Sequence, residues 1–184
     1  MKVAAILAVV LALILVGPRA VADQKDPRLN DLFSMLKQVP NQQQGQLVAD
    51  VIWEIWFEAP TTGTDILLKQ GQKSMKAGNF DDALATFDAL VELEPSFAEA
   101  WNRRATLHFL MGNYNASIAD VERTLSLEPR HFGAISGLGH IYEAIGEDEA
   151  ALIAYRKALE INPHMPAIRA LAGKIEATLQ AREI

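Results

Sequence analysis

The chain has 184 residues, half of them apolar, and a formal net charge of −6. That length suits one ordinary domain with a real core, and the acidic balance argues against a nucleic-acid surface, whose footprint is a basic stripe. No cysteine is present, which excludes disulfides, thiolate metal sites, a cysteine nucleophile and a lipid-modified N-terminal cysteine.

Lys2 opens the chain and is followed by an unbroken apolar run, Val3–Val16, that Gly17-Pro18 interrupt. Ala20-Val21-Ala22 then supplies a small-x-small site. This is the order of a secretory signal peptide, and the run is short for a membrane span, which needs about 20 residues. Residues 1–22 are expected to be removed by cleavage after Ala22, giving a periplasmic or secreted protein. The alternative is an uncleaved chain anchored in a membrane by residues 3–16. Cleavage takes Lys2 and Arg19 away and leaves a net charge of −8.

Residues 23–63 read as a helical hairpin. Asp26-Pro27 is a helix-start signal, and Leu29, Leu32, Phe33 and Leu36 follow at helical spacing. Val39-Pro40-Asn41 makes a turn, after which Leu47, Val48, Val51, Ile52, Ile55 and Trp56 share one face. Pro60 lies one residue out of the period that follows, and Thr61-Thr62-Gly63 is expected to absorb the difference. Trp53 stands where the later units carry polar residues. Packing beneath the first helix through Phe33 is favoured over a partner contact.

Residues 64–165 repeat themselves. Pro95, Pro129 and Pro163 are 34 residues apart, as are Gly78, Gly112 and Gly146. Aligning on them gives units 64–97, 98–131 and 132–165. Leu67, Trp101 and Ile135 fall in one column, Gly71, Ala105 and Gly139 in another, and Phe87, Val121 and Tyr155 in a third. Apolar positions recur at helical spacing on both sides of each glycine, so every unit is two amphipathic helices. The glycines end the first helix with a positive φ, Asn79 and Asn113 sit at cap positions for the second, and the prolines stop it. The small column lets the two helices of a unit cross closely. Residues 166–184 read as one more helix.

A 34-residue helix-turn-helix carrying Trp101, Ala105, Gly112, Tyr114, Ile118 and Pro129 resembles the tetratricopeptide repeat (TPR). The resemblance implies an all-α, right-handed solenoid of three repeats, with a degenerate hairpin capping its N-terminal side and a capping helix at its C-terminal end. Gln70 and Arg104 depart from the leucine usual at their position. The arrangement resembles small exported bacterial repeat proteins.

The resemblance also implies a concave groove lined by the first helix of each unit, on its second, fifth, ninth, twelfth and thirteenth residues. Carried over by position, the partner-binding candidates are Leu68, Gln72 and Met75 in the first unit. They are Asn102, Thr106, Phe109 and Leu110 in the second, and Ser136, His140 and Glu143 in the third. Gly133 and Gly137 suggest either close approach by another backbone or tight packing between repeats. Leu68 and Gln72 stand where a carboxylate clamp needs lysine and asparagine, so no clamp for a chaperone tail is expected. Arg103 and Arg104 are expected to be solvated beside Trp101.

No chemistry-bearing motif emerges. His108, His131, His140 and His164 lack ligand spacing and read as solvated or cap-region side chains. Acidic pairs such as Asp81-Asp82 favour helix N-termini. No phosphate loop, nucleophile elbow or zinc-protease motif is present. The expectation is a non-enzymatic scaffold without cofactor or metal that takes a protein or peptide partner as adaptor or assembly factor. It takes no nucleic acid and no small-molecule substrate, and it meets a membrane only if the N-terminal segment is retained. A self-associating structural protein is the alternative, followed by an enzyme with an unrecognised site.

Overall fold

The computed structural model describes residues 25–182, and among them the secondary structure is nine helices. The signal-peptide reading of residues 1–22, its Ala22 cleavage site and the alternative anchor lie outside the described residues. No helix among the described residues is long and apolar enough to cross a membrane.

Two helices come first, α1 (Arg28–Gln38) and α2 (Gln42–Phe57). Three antiparallel pairs follow: α3 (Thr62–Lys76) with α4 (Phe80–Leu93), α5 (Ala98–Leu110) with α6 (Tyr114–Leu127), and α7 (Phe132–Ala144) with α8 (Asp148–Ile161). The last helix, α9 (Pro166–Arg182), packs on α8.

Local chemistry accounts for the boundaries. The Asp26 carboxylate accepts the Arg28 N–H at 2.8 Å, and Asn41 Oδ1 accepts the Gln44 N–H at 3.0 Å, satisfying amide groups that a helix start leaves orphaned. Thr61 and Thr64 form a capping box, so α3 begins at Thr62 and the extra residue is taken up in its first turn instead of an extended linker. Gly78, Gly112 and Gly146 have φ of 78°, 75° and 82°. The next residue's N–H bonds back to Ser74, His108 and Tyr142 carbonyls respectively, closing a Schellman motif. Asn79 and Asn113 occupy the N-cap position, yet their side chains make no cap bond. Their backbone N–H, not their side chain, does the capping work, on the helix before.

Within each pair the small column is explained by the ring opposite. A Cβ added at Gly71 would lie 2.5 Å from Phe87 Cε1, and one at Gly139 would lie 2.4 Å from Tyr155 Cε1. Leu68, Phe87, Leu90, Phe97, Ala100 and Leu107 link the first pair to the second. Ala105, Val121, Ala134 and Ile141 link the second to the third. Ile168, Ala172 and Ile175 of α9 close the array on Ala151, Leu152 and Tyr155. The first helices contact one another, α3 with α5 and α5 with α7, and so form the inner row.

The N-terminal hairpin departs from the expected stacking. Its core (Leu29, Leu32, Leu36, Val48, Ile52, Ile55 and Trp56) is shared with Phe132 of the third repeat, and Ile161 and Met165 pack against it. Polar contacts follow the same route: Arg130 donates to Asn30 Oδ1 at 2.8 Å, and His164 Nε2 lies 3.1 Å from the Leu36 carbonyl oxygen. The hairpin therefore crosses from the first repeat to the end of the third instead of lying in front of the first. The reason is that α2 is apolar on two sides. One stripe holds α1, while Trp53 and Trp56 need a second surface. Residues Gly45 and Gly133 make room for the crossing, since a Cβ at Gly45 would strike the His164 side chain and one at Gly133 the Trp53 ring.

Candidate functional site

The inner face divides into a covered half and an open half. The covered half lies at the N-terminal ends of α5 and α7. Glu99 and His131 have side chains that are 0% exposed, with Glu99 Oε2 and His131 Nε2 3.0 Å apart. His131 also caps α7, its Nδ1 accepting the Ala134 N–H at 3.0 Å. Nδ1 is thus unprotonated, so Nε2 carries the hydrogen and donates to Glu99. Asn102 Nδ2 donates to the same carboxylate at 2.8 Å, and Arg103 Nε donates to its other oxygen. Burial alone would raise the Glu99 pKa, but the Arg103 charge and the His131 and Asn102 hydrogen bonds outweigh it and hold the carboxyl below its ordinary value.

The hairpin seals this network. Trp56 stacks on the His131 ring at 4.1 Å and 9°, Trp53 meets His131 edge-on at 5.3 Å, and the Arg103 guanidinium lies 4.5 Å over the Phe57 ring. Trp53 is therefore a packing residue, but it packs on the third repeat and not through Phe33, whose ring meets Trp56 at 6.0 Å. The surroundings of Trp53 are the inner face of the third repeat together with Trp56 and Phe57. The Gly133 question has an answer that neither expectation contained, because the group close to that glycine is the chain's own Trp53. Gly137 has open space beside it.

Several candidates consequently do not form an open surface. Leu68 is core, Asn102 is tied to Glu99, and Ser136 is buried with its hydroxyl donating to the Gly133 carbonyl. His131, expected to be solvated or near a cap, is a fully buried cap. The two arginines are not free solvated groups either. Arg103 is tied to Glu99, and Arg104 bridges outer helices, donating to Asp120 at 2.8 Å and to Asp88 at 2.7 Å. Glu99 is the important residue that position alone offered but chemistry did not single out. A charged second residue and a histidine at the last position of the same unit were the available signal.

The open half lies toward the C-terminal ends of α3, α5 and α7. Gln72, Met75, Thr106, Phe109, His140 and Glu143 are half-buried there and Leu110 is 51% exposed. The floor is fixed. Phe109 leans on Tyr114 at 5.9 Å, and the Thr106 hydroxyl donates to the Asn102 carbonyl. The Tyr155 hydroxyl donates to Glu143 at 2.9 Å and lies 2.8 Å from His140 Nδ1. With the phenol's one proton directed at the carboxylate, His140 Nδ1–H donates to the phenol oxygen. Burial, partly opposed by Glu143, lowers the His140 pKa and so favours the neutral ring. Burial and Glu143 push the Tyr155 phenol well above its usual range. Met75, Phe109 and Leu110 add apolar surface near these helix ends, and Gln72, Thr106, His140 and Glu143 add polar side chains on the same three helices. Among the described residues no group of three or more His, Asp or Glu is placed to hold a metal ion.

Comparison with known proteins decides the family. Tetratricopeptide-repeat family models match residues 68–110, 98–131 and 134–165. A TPR repeat-containing protein of Rhizobium etli is 36% identical over 150 residues, 82% of this chain and 74% of that protein. The chain is a tetratricopeptide-repeat protein. The residues aligned with the Rhizobium relative outnumber those from Thr64 to the C-terminus, so that likeness reaches back into the hairpin. Among solved structures, the TPR protein resembles the first TPR of Spaghetti bound to an HSP90 peptide. The TM-score is 0.61 at 22% identity, covering 64% of this chain and 93% of that one. It also resembles MamA, with a TM-score of 0.61 at 22% identity, covering 87% and 86%. Both likenesses are likenesses of fold.

Proposed function

We propose that this TPR protein is an exported, non-enzymatic scaffold that grips a protein or peptide partner on the open half of its inner face, as an adaptor or assembly factor. What supports the reading is that Met75, Phe109 and Leu110 stay partly accessible toward the C-terminal ends of α3 and α5, with Gln72, Thr106, His140 and Glu143 likewise partly accessible on the three successive first helices. Such a surface suits an amphipathic or extended segment, whose apolar side chains meet the apolar residues and whose polar groups meet the polar ones. A TPR domain of the same fold is solved bound to an HSP90 peptide, which supports a peptide as the class of partner. The groups that would make a carboxylate clamp are replaced by Leu68 and Gln72, and Leu68 is buried, so an internal segment suits this groove better than a chain terminus. Export rests on the sequence of residues 1–22, where Lys2, the apolar run and Ala20-Val21-Ala22 follow the order of a secretory signal.

The test is a crosslinking capture from the exported fraction, comparing the full chain with a Thr106→Ala, Phe109→Ala, His140→Ala variant whose helicity and melting are checked first. Loss of the captured partner in a folded variant supports the reading. Retention moves the site off the open half and refutes it.

A further inference from the structure

In a simple repeat array each unit touches only its neighbours. The α1–α2 hairpin breaks that rule, because it is joined to the first repeat and rests on the third. It does so over the half of the inner face where the second and third repeats would otherwise present Glu99, Asn102, Gly133 and Ser136. The hairpin is thus an occupant of the groove built into the chain.

Two opposed sets of observations describe this contact. The fit is shaped on both sides, with Gly45 accommodating His164 and Gly133 accommodating Trp53. The docked state nevertheless carries a hydrogen-bonding deficit. Trp56 Nε1 is buried without an acceptor, and so is Gln44 Oε1 without a donor; both atoms belong to α2, and undocking would return them to water. Beneath the tryptophans lies the buried Glu99 carboxylate with Arg103, His131 and Asn102. These groups are hydrogen-bonded to one another and not to the hairpin, so their pairing does not depend on the cover. They would be well solvated if the surface lifted. A shaped contact that leaves its own polar atoms unsatisfied has the properties of a two-state element.

We propose that the α1–α2 hairpin is a displaceable strap over the N-terminal half of the groove, which when lifted uncovers Glu99, Asn102, Arg103 and His131 for an amphipathic helix of a partner. The receptor chemistry is given by what fills it now. It takes two aromatic side chains three residues apart on one helix, the first edge-on to His131 and the second stacked on it. An indole or phenol with its polar atom within reach of an acceptor would improve on Trp56. The strap regulates the groove of the scaffold reading and rests on it. A partner spanning the whole inner face must displace the strap, while one confined to the open half need not.

The chain contains no cysteine, so a single engineered pair reports cleanly. An ideal Cβ at Gly45 lies 2.5 Å from His164 Cβ, so the two segments need to part by about 1 Å to reach the roughly 3.5–4.5 Å that a disulfide spans. The experiment compares the unaltered chain with the full chain carrying Gly45→Cys and His164→Cys, when reduced and when oxidised, by native-state hydrogen exchange. In the unaltered chain, amides of α1 and α2 are expected to exchange about tenfold or more faster than those of α5 to α8. Oxidation is expected to bring them to the slow rate. A labelled synthetic peptide of residues 42–58 is expected to be taken up by the reduced form and refused by the oxidised one. The same peptide with Trp53→Ala and Trp56→Ala is expected to be refused by both. A hairpin that exchanges only with α5 to α8 in the unaltered chain overturns the strap. So does a peptide taken up equally by both forms, or by neither. A strap that opens in a chain whose captured partner survives the Phe109→Ala variant leaves this inference standing and removes the open-half site instead.

Discussion

Gly133 and Gly137 lie four residues apart in α7, and the same substitution is expected to act on them with opposite signs. Alanine in a helix is favoured over glycine by about 0.5–1 kcal/mol. At Gly137 nothing lies within 4 Å of an added Cβ, so Gly137→Ala realises that gain. At Gly133 the new carbon would sit 2.4 Å from Trp53 Cη2 and 2.6 Å from Cζ2. The partly buried indole is hemmed in by Trp56 at 5.3 Å, Phe132 at 5.6 Å and His131 at 5.3 Å, so moving it off the new carbon disturbs those contacts. Overpacking of this kind costs about 1–3 kcal/mol, and the glycine is in the first turn, where the propensity gain is smallest. The net expectation is a loss of about 1–2 kcal/mol. For a domain of this size each kcal/mol moves the melting point by about 2–4 °C. Thermal unfolding followed by helical ellipticity should therefore show Gly137→Ala a few degrees above the parent and Gly133→Ala a few degrees below. Adding Trp53→Leu should remove most of the Gly133→Ala penalty, a coupling of about 1 kcal/mol or more. If Gly133→Ala stabilises as Gly137→Ala does, Trp53 is not seated on α7 and the placement of the hairpin is wrong.

The lowered Glu99 pKa makes stability acid-sensitive. A carboxylate held below its ordinary value of 4.5 contributes stability above that pH and loses it as the pH falls through the folded value, so melting points measured from pH 6 down to pH 3 should fall, and Glu99→Gln should flatten the fall below pH 4.5. His140, lowered from 6.5, adds a separate loss that begins as the pH drops below 6.5, and His140→Gln should remove that earlier part alone. Arg104→Met should cost about 3 kcal/mol in urea unfolding because it strands the buried Asp120. Asp88→Asn, at the exposed end of the same bridge, should cost under about 1 kcal/mol. N-terminal sequencing of the exported protein should begin at Asp23, and an N-terminus at Met1 would contradict the cleavage reading.

The repeats were legible because a 34-residue period repeats the same physical constraint three times. Gly78, Gly112 and Gly146 each need a left-handed turn, and Gly71 and Gly139 each face an aromatic ring, so the columns corroborate one another. The hairpin's destination was not legible, because its partners lie about a hundred residues away and occur only once. Gly45, Trp53 and Gly133 are complementary shapes, but complementarity between single residues leaves no periodic trace. The same limit explains the site. Position within the repeat put Phe109, Leu110, His140 and Glu143 forward as groove residues, and the structure leaves them half-buried or exposed. Position could not show that Asn102 and Ser136 lie in the half that α2 covers. The Glu99–His131 pair joins the second residue of one repeat to its last, which looks like two unrelated polar side chains until the fold brings them together.

The central claim is that a partner meets the open half of the inner face and not the outer helices. A photo-crosslinking amino acid placed at Leu110, 51% exposed on α5, and separately at Ile153, 69% exposed on α8, tests it in the exported fraction. Adducts with a polypeptide at Leu110 and none at Ile153 are the expected result. Adducts at Ile153, with none at Leu110, would put recognition on the outer row and contradict the account.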